Sequence, residues 1–389
     1  MTPAARIAAA IEVLDQILSG ESAEKALTTW GRKNRFAGSK DRAAIRDHVF
    51  DALRRRRSFG ALGGAETGRG IMIGALRQQG VPPEAMFTGE GHAPAPLSAA
   101  ELITLDLGSC PAPVRLDIPD WLHARFTESL GSQTEAVLQA LQSRAPVTLR
   151  VNLRKADRDS AVALLAQDGV ICRIHPQVRT ALQVIENERK IQVSQAYLTG
   201  VVELQDAASQ AAILRLPLVP GGRVLDYCAG GGGKALGIAA LHDGPVYAHD
   251  IAPERMRDLG PRAGRAGVTV TQLPTAKVNA QGPYDLILLD APCSGSGTWR
   301  RAPEAKWRLT ASDLERLCKI QSGLLRDAAP RVGPGGTLAY ATCSVLRDEN
   351  RAQVDAFVAA HPGWVLVDEM QLLPGPLWDG FYIALLQLR

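Results

Sequence analysis

Cysteine is scarce and scattered. Cys110, Cys172, Cys228, Cys293, Cys318 and Cys343 are all there are in 389 residues, with no CxxC and no Cys/His pairing. That argues against a disulfide scaffold and a structural zinc site, and leaves free thiols in a reducing compartment. Long apolar runs are missing too. Nothing approaches the roughly 20 residues of a membrane-spanning helix. The first eighteen residues carry Glu12 and Asp15 inside their apolar periodicity, so they read as an amphipathic helix and not as a signal peptide. A soluble, cytoplasmic chain without a metal is expected. Internal repeats and low-complexity tracts are absent, which removes solenoid architectures.

What is present is length and an uneven charge. A chain of 389 residues calls for more than one core, and 46% hydrophobic content can fill them. The net charge is only +4. Residues 1–60, however, hold 12 Lys/Arg against 7 Asp/Glu, residues 61–145 hold 5 against 9, and residues 146–200 hold 8 against 5. A basic module joined to a near-neutral one suits an anionic polymer as partner, although a solvated helix face would look alike. Ile7, Ile11, Leu14 and Ile17 recur at helical spacing, and Ser19-Gly20 ends that helix. A further helix is expected from about Ser39 to the run Arg54, Arg55, Arg56, Arg57, which would close it. Four adjacent cations exceed what a helix end needs, so a phosphate grip is the favoured reading of that run. Residues 60–70 are glycine-rich and break the pattern, residues 71–79 resume a helix, and residues 81–96 form a loop. Residues 102–144 read as helical, interrupted at 110–119. Residues 1–144 are thus an all-α domain. Residues 145–200 read as strand, helix, strand, strand: a small α+β (RRM-like) subdomain.

From residue 201 onward strands and helices alternate, with strands at 223–226, 246–249, 268–273, 286–289 and 337–341. The series predicts a doubly wound, mostly parallel α/β sheet of Rossmann type over residues 201–389, with ligands beyond the carboxyl ends of its strands. Three features sit at those ends. The first is the loop Cys228, Ala229, Gly230, Gly231, Gly232, Gly233, Lys234, opening a helix; it is a nucleotide cradle in general form. It lacks the Gly-Lys-Ser/Thr of a phosphate loop and the G-x-G-x-x-G of dinucleotide binders. The second is Asp250, placed to accept from ribose hydroxyls. The third is a pair of thiols, Cys293 in Asp290-Ala291-Pro292-Cys293 and Cys343 in Thr342-Cys343-Ser344. A thiolate can attack carbon-6 of a pyrimidine, which makes carbon-5 nucleophilic toward a methyl donor such as S-adenosylmethionine. One thiol would attack and the other assist release. Asp290 would hold the ring edge or donate to ring N3, and Lys234 would stabilise negative charge near either thiol. Trp299, Arg300, Arg301, Lys306 and Trp307 follow, a mixture suited to a phosphate backbone and stacked bases.

LDYCAGGGGK, LLDAPCSGSGTWRRAPEAKW and YATCS followed by Asp348, Glu349 and Asn350 together resemble the Sun/Fmu-like RNA cytosine-5 methyltransferases. The likeness extends to VELQDAASQ at 202–210 and RVN at 150–152. DRAAIRDHVFDALRRRR resembles the NusB-like RNA-binding domain of the bacterial ribosomal members. The resemblance implies that Cys343 is the nucleophile and that Cys293 promotes product release. It implies that Cys228 to Lys234, Asp250, Arg255 and Asp290 contact S-adenosylmethionine or the target base. The substrate would be RNA, ribosomal above all, and the protein a monomer. Two departures stand out. Gly230 and Gly231 replace the family's Ala-Pro, loosening the loop. The acid usual after the third strand is missing from 273–277, with Thr275 as its candidate stand-in. These departures motivate an alternative, an RNA-binding ribosome-assembly factor with weak or lost methyltransferase activity. A DNA cytosine methyltransferase shares the ring chemistry but not the basic helical module.

Overall fold

The helical periodicity of the N-terminal residues becomes a buried face. Ile7, Val13, Leu14 and Ile17 of the helix Pro3–Leu18 pack with Trp30, Ile45, Val49, Phe59 and Ile73 from the helices Ala23–Lys33, Ser39–Arg54, Arg56–Gly63 and Gly68–Gln78. In the computed structural model, which describes residues 1–388, Met1–Arg144 and Trp299–Leu309 make one unit. Ala145–Thr298 and Thr310–Arg389 make the other. Residues 145–200 fall in the same unit as the larger sheet, and Trp299–Leu309, which continues the cysteine-bearing loop, falls with the helices.

Three expectations for the helical unit change. The arginine run does not close one helix; the chain breaks at Arg55, and Arg56 and Arg57 open the next. Residues 60–63 are helical, not a break. Glycine serves close approach there, since a Cβ on Gly63 would lie 1.7 Å from the Gly70 carbonyl oxygen and one on Gly74 1.9 Å from that of Phe59. Residues 102–106 are not helical either. The Arg77 guanidinium takes the carbonyls of Leu62, Glu101 and Ile103, bonding the backbone outside a helix. Helix returns only at Ala112–Arg115, Asp120–Leu130 and Thr134–Leu141.

The second unit carries two sheets. The smaller contains β1 (Thr148–Val151), β2 (Ile171–Ile174), β3 (Ala181–Glu186) and β4 (Val202–Leu204) in the order β2-β3-β1-β4, all antiparallel. β4 was expected to begin the larger sheet; it pairs with β1 instead. The larger sheet contains β5 (Val224–Asp226), β6 (Val246–Ala248), β7 (Thr271–Gln272), β8 (Tyr284–Asp290), β9 (Val332–Thr342), β10 (Trp364–Leu372) and β11 (Phe381–Leu388). Its order is β10-β11-β9-β8-β5-β6-β7. β9, β8, β5, β6 and β7 run parallel, and β11 lies antiparallel between β9 and β10. This is the doubly wound sheet expected, extended by a C-terminal antiparallel pair. β8 is apolar along nearly its whole length because helices cover both faces. The register pairs Asp290 of β8 with Ala341 of β9, so Cys293 and Cys343 leave adjacent strands at one edge.

Candidate active site

β5, β6 and β8 lie side by side, and each delivers an aspartate at or just past its carboxyl end: Asp226, Asp250 and Asp290. Only the last two were singled out from sequence. The shared position of all three is the signal that could have found Asp226. Asp226 is 1% exposed, and neither carboxylate oxygen has a hydrogen-bond partner. Burial, then the charge of Asp290, pushes its carboxyl up to about 7.

The glycine loop runs over this aspartate. Gly230 (φ +52°) and Gly232 (φ +78°) are left-handed, and a Cβ on Gly232 would fall 2.3 Å from Leu259. The Ala229 amide donates to the His249 carbonyl (2.8 Å), and the Gly230 amide donates to Asp250 Oδ2 (2.8 Å). These two amides therefore brace the loop. Arg150, buried and lowered to about 10 chiefly by burial, donates to the Gly233 carbonyl (2.7 Å) and to Gln205 (2.5 Å). It holds the loop from the small sheet and was not foreseen as part of the site. Arg255 lies at the rim, its side chain 61% exposed and 3.2 Å from Asp250. Thr275, the candidate stand-in for a missing acid, pairs its hydroxyl with His249 Nε2 at 2.9 Å. Cys228 is half-buried, and burial raises its thiol well above the ordinary range. A buried acid whose carboxylate oxygens have no hydrogen-bond partner among the described residues, a glycine loop with two left-handed positions, and Asp250 beside it form a set that fits an adenosine-bearing ligand.

Lys234, the first lysine past the loop, donates to Asp290 Oδ2 at 2.6 Å and lies 5.1 Å from the centre of the Phe381 ring. Burial would lower its pKa, but the charge and hydrogen bond of Asp290, and then Asp226, outweigh that and hold the ammonium above its ordinary value. The two expected thiols meet, with Cys293 Sγ 3.4 Å from Cys343 Sγ. Both are half-buried. Their surroundings differ. The Cys293 hydrogen bond lowers Cys343 against burial and Asp290, assisted by Lys234 and by Thr298, whose hydroxyl is 3.9 Å away. The same hydrogen bond raises Cys293, joined by burial and by the charges of Cys343 and Glu349. The contact between the two thiols thus pushes them apart, Cys343 downward and Cys293 upward.

Much of the aromatic and cationic stretch after the loop is turned inward, while Arg301 stays exposed and Trp307 half-buried. Trp299 is 2% exposed and stacks on Phe126 with centroids 5.7 Å apart. Arg300 is buried, and its carbonyl accepts from Arg54 Nε at 2.8 Å. Lys306 is buried, with Nζ 3.3 Å from the Arg54 carbonyl, and Trp307 Nε1 donates to the Leu53 carbonyl at 2.7 Å. The arginine run also bonds within its unit, with Arg54 buried and Arg55, Arg56 and Arg57 partly exposed. Arg55 donates to the Gln142 carbonyl (3.2 Å), Arg56 to Glu66 (3.0 Å), and Arg57 to the Ile118 carbonyl (2.8 Å) and Asp120 (2.7 Å). The helix break at Arg55 points the four side chains at different carbonyls and acids, so each already has a partner within the unit. Among the described residues no helix is long and apolar enough to cross a membrane, and no group of three or more His, Cys, Asp or Glu is placed to hold a metal ion.

Residues 213–387 match the family model for the 16S rRNA methyltransferase RsmB/F, and residues 118–192 match that for the RsmF/B-like ferredoxin-like domain. Ribosomal RNA small subunit methyltransferase B of Salmonella arizonae is 35% identical over 281 residues, covering 68% of this chain and 65% of that protein. The protein of the same name from Vibrio cholerae is 36% identical over 281 residues, covering 69% and 64%. The matches therefore span a little under two thirds of these relatives. The crystal structure of PH0851 is 25% identical with a TM-score of 0.77, covering 100% of this chain and 99% of that one. A methyltransferase homolog protein from Pyrococcus horikoshii is 24% identical with a TM-score of 0.61, covering 71% and 97%, and shares the fold. With two family models matched in order along the sheet-bearing part and relatives alike over most of the chain, this protein belongs to the RsmB/F family of ribosomal RNA methyltransferases.

Proposed function

We propose that the chain is an S-adenosylmethionine-dependent methyltransferase that forms 5-methylcytosine in RNA, with small-subunit ribosomal RNA, named in its relatives, as the substrate class. The observation that carries this reading is the 3.4 Å approach of Cys293 and Cys343 at the strand ends. S-adenosylmethionine, when bound, supplies an electrophilic methyl group. Residues 230–233, Asp226, Asp250 and Arg255 would hold it.

Cys343 Sγ attacks carbon-6 of the cytosine, and a covalent adduct forms. Asp290, fixed by Lys234, meets the ring edge at N3. The sulfur of Cys343 becomes a thioether in this step and loses its charge. The first influence raising Cys293, its hydrogen bond to the Cys343 thiolate, then disappears together with that charge. Cys293 is thereby freed to give its proton to solvent after the adduct exists, which is the one net proton the methyl transfer releases. It can take the carbon-5 proton once the methyl group is in place, so that Cys343 leaves and the ring regains its double bond. The geometry thus supports a division of labour in which one thiol acts first because the other holds the proton.

The test uses the full chain, radiolabelled S-adenosylmethionine and an unmodified small-subunit ribosomal RNA transcript. Cys343→Ala is expected to abolish incorporation. Cys293→Ala is expected to accumulate a protein–RNA adduct that survives a denaturing gel. Full incorporation by Cys343→Ala would refute the proposal. Calorimetry with S-adenosylmethionine separates it from a silent, RNA-binding assembly factor, which would show no uptake of the cofactor. Sedimentation tests the monomer.

A further inference from the structure

Glu349 has no role in the chemistry above, yet it sits beneath both thiols. It is 0% exposed. Its Oε1 accepts from the Ser294 amide (2.7 Å) and from Gln321 Nε2 (3.1 Å). Its Oε2 accepts from the hydroxyls of Ser294 (2.5 Å) and Ser344 (2.5 Å). None of these four partners is a cation. Ser294 follows Cys293, and Ser344 follows Cys343. One buried carboxylate thus binds the residue next to each sulfur. A lacing of lesser bonds repeats the connection: Ser296 Oγ to Ser344 Oγ (2.8 Å), the Val345 amide to Ser296 Oγ (2.9 Å), and the Gly297 amide to the Cys343 carbonyl (2.9 Å). Gln321 also binds the Pro292 carbonyl at 2.9 Å. Tyr340 in turn holds the Glu349 backbone carbonyl at 2.6 Å.

Burying an ion without a counter-ion costs several kcal/mol in general. A glutamine or a second serine would hold two loops together at a lower cost. A full negative charge does more than tie loops. It reaches Cys293, whereas Lys234 and Asp290 are the charges that reach Cys343. We infer that Glu349 is a positioning residue for the two-thiol reaction, its carboxylate fixing the spacing of Cys293 and Cys343 and setting a negative charge beside Cys293. This rests on the proposed function, but half of its test does not.

That half is alkylation of the RNA-free full chain by iodoacetamide across pH, read at each cysteine by mass spectrometry. Cys293 faces Cys343 and Glu349, together with the Gly295 amide. Cys343 faces Cys293, Asp290, Lys234 and Thr298. In Glu349→Gln the negative charge is gone at nearly constant volume. Alkylation of Cys293 at pH 8 is expected to rise about tenfold, the equivalent of one pH unit. Glu349→Asp keeps the charge and shortens the reach, so it should leave Cys293 within about threefold of wild type while loosening the spacing. The second half uses the ribosomal RNA transcript and S-adenosylmethionine. Glu349→Gln should lose about a hundredfold in kcat with little change in the KM for S-adenosylmethionine, as for misplaced reacting groups. It should not accumulate the protein–RNA adduct that Cys293→Ala traps, because the step it slows, the attack of Cys343, comes before the adduct. A defect of folding alone would lower activity without shifting the Cys293 profile. An unshifted Cys293 profile together with wild-type turnover in Glu349→Gln overturns the inference and leaves the proposed function intact. A wild-type chain with no methyl transfer, but with the Cys293 shift present, overturns the function and leaves the electrostatic role of Glu349.

Discussion

Two buried lysines, one in each unit, face aspartates and end in opposite states. Lys234 touches Asp290 at 2.6 Å and is held above its ordinary pKa. Lys306 has Nζ 3.3 Å from the Arg54 carbonyl and feels Asp117 only at a distance; burial lowers it to about 8. Asp117 itself, raised by burial, accepts from the Ser58 amide and hydroxyl (2.8 and 2.7 Å) and from Gln142 (2.8 Å). Burial disfavours both ammonium ions, and only direct contact with a carboxylate reverses the outcome. The difference teaches that direct contact with Asp290 fixes a positive charge close to the thiols. The helical unit uses the same residue types to join backbone segments.

The sharpest way to break this comparison is Lys234→Met. If the Lys234 charge helps keep Cys343 ionised, alkylation of Cys343 at pH 7 should fall about tenfold. Methyl transfer should fall roughly a thousandfold, because Asp290 loses its partner as well. Lys234→Arg should recover part of both. A loss of less than twofold in Lys234→Met would reduce the ion pair to a structural contact, like those of the helical unit.

Asp226 sharpens the same point from the acidic side. Its folded carboxyl titrates at about 7, and an unfolded aspartate titrates near 3.9. Between those values the folded state binds more protons than the unfolded one. Stability therefore falls as pH rises from about 4 to about 7, and stays reduced above. Asp226→Asn removes the ionisation. It should stabilise the protein by about 4 kcal/mol at pH 8 and by about a third of that at pH 5, measured by urea unfolding at the two pH values. Equal gains at both would show that the carboxylate is not under strain. S-adenosylmethionine binding should weaken in the same variant.

Lys306→Met is the helical counterpart, with a smaller effect of opposite slope. The folded ammonium gives up its proton near 8, the unfolded one near 10.4. Across that interval the unfolded state binds more protons, so wild-type stability rises with pH. In Lys306→Met the rise should flatten. The net change at pH 7 should be about 1–2 kcal/mol in size, since the contacts to the Arg54 carbonyl and the Trp307 ring (4.5 Å) go with the charge.

The sheet and its thiols were legible because strand-end chemistry follows from local pattern. The run at 286–289 and the turn before Thr337 place Cys293 and Cys343 on one edge whatever the rest of the chain does. The glycine loop and Asp250 are local in the same sense. Trp299 and Lys306 were misread for the opposite reason. Their composition suits a nucleic-acid surface, but their partners, Phe126 and Arg54, lie far away in sequence. β4 was misassigned because three residues carry too little pattern to say which sheet takes them. Glu349 was visible only as part of a motif. Nothing in its neighbours announces that Ser294, fifty-five residues earlier, will donate to it twice.

The smallest effect is expected at Arg56, and it bears on the wider use of the arginine run. Arg56 bonds Glu66 at 3.0 Å, lies 5.3 Å from the Trp307 ring and remains about a third exposed. An exposed ion pair of this kind contributes about 0.2–1 kcal/mol. Arg56→Ala should therefore lower stability by no more than about 1 kcal/mol. RNA binding separates the two roles more cleanly than stability does. A side chain that neutralises a phosphate of single-stranded RNA contributes about 0.7 to the slope of log K against log salt. If Arg56 is committed to Glu66 and Trp307, the slope measured with the ribosomal RNA transcript should be the same in wild type and Arg56→Ala. A slope shallower by about 0.7 would mean that RNA draws this arginine away from its internal partners. The helical unit would then hold its charges ready for a partner, as the thiol site does.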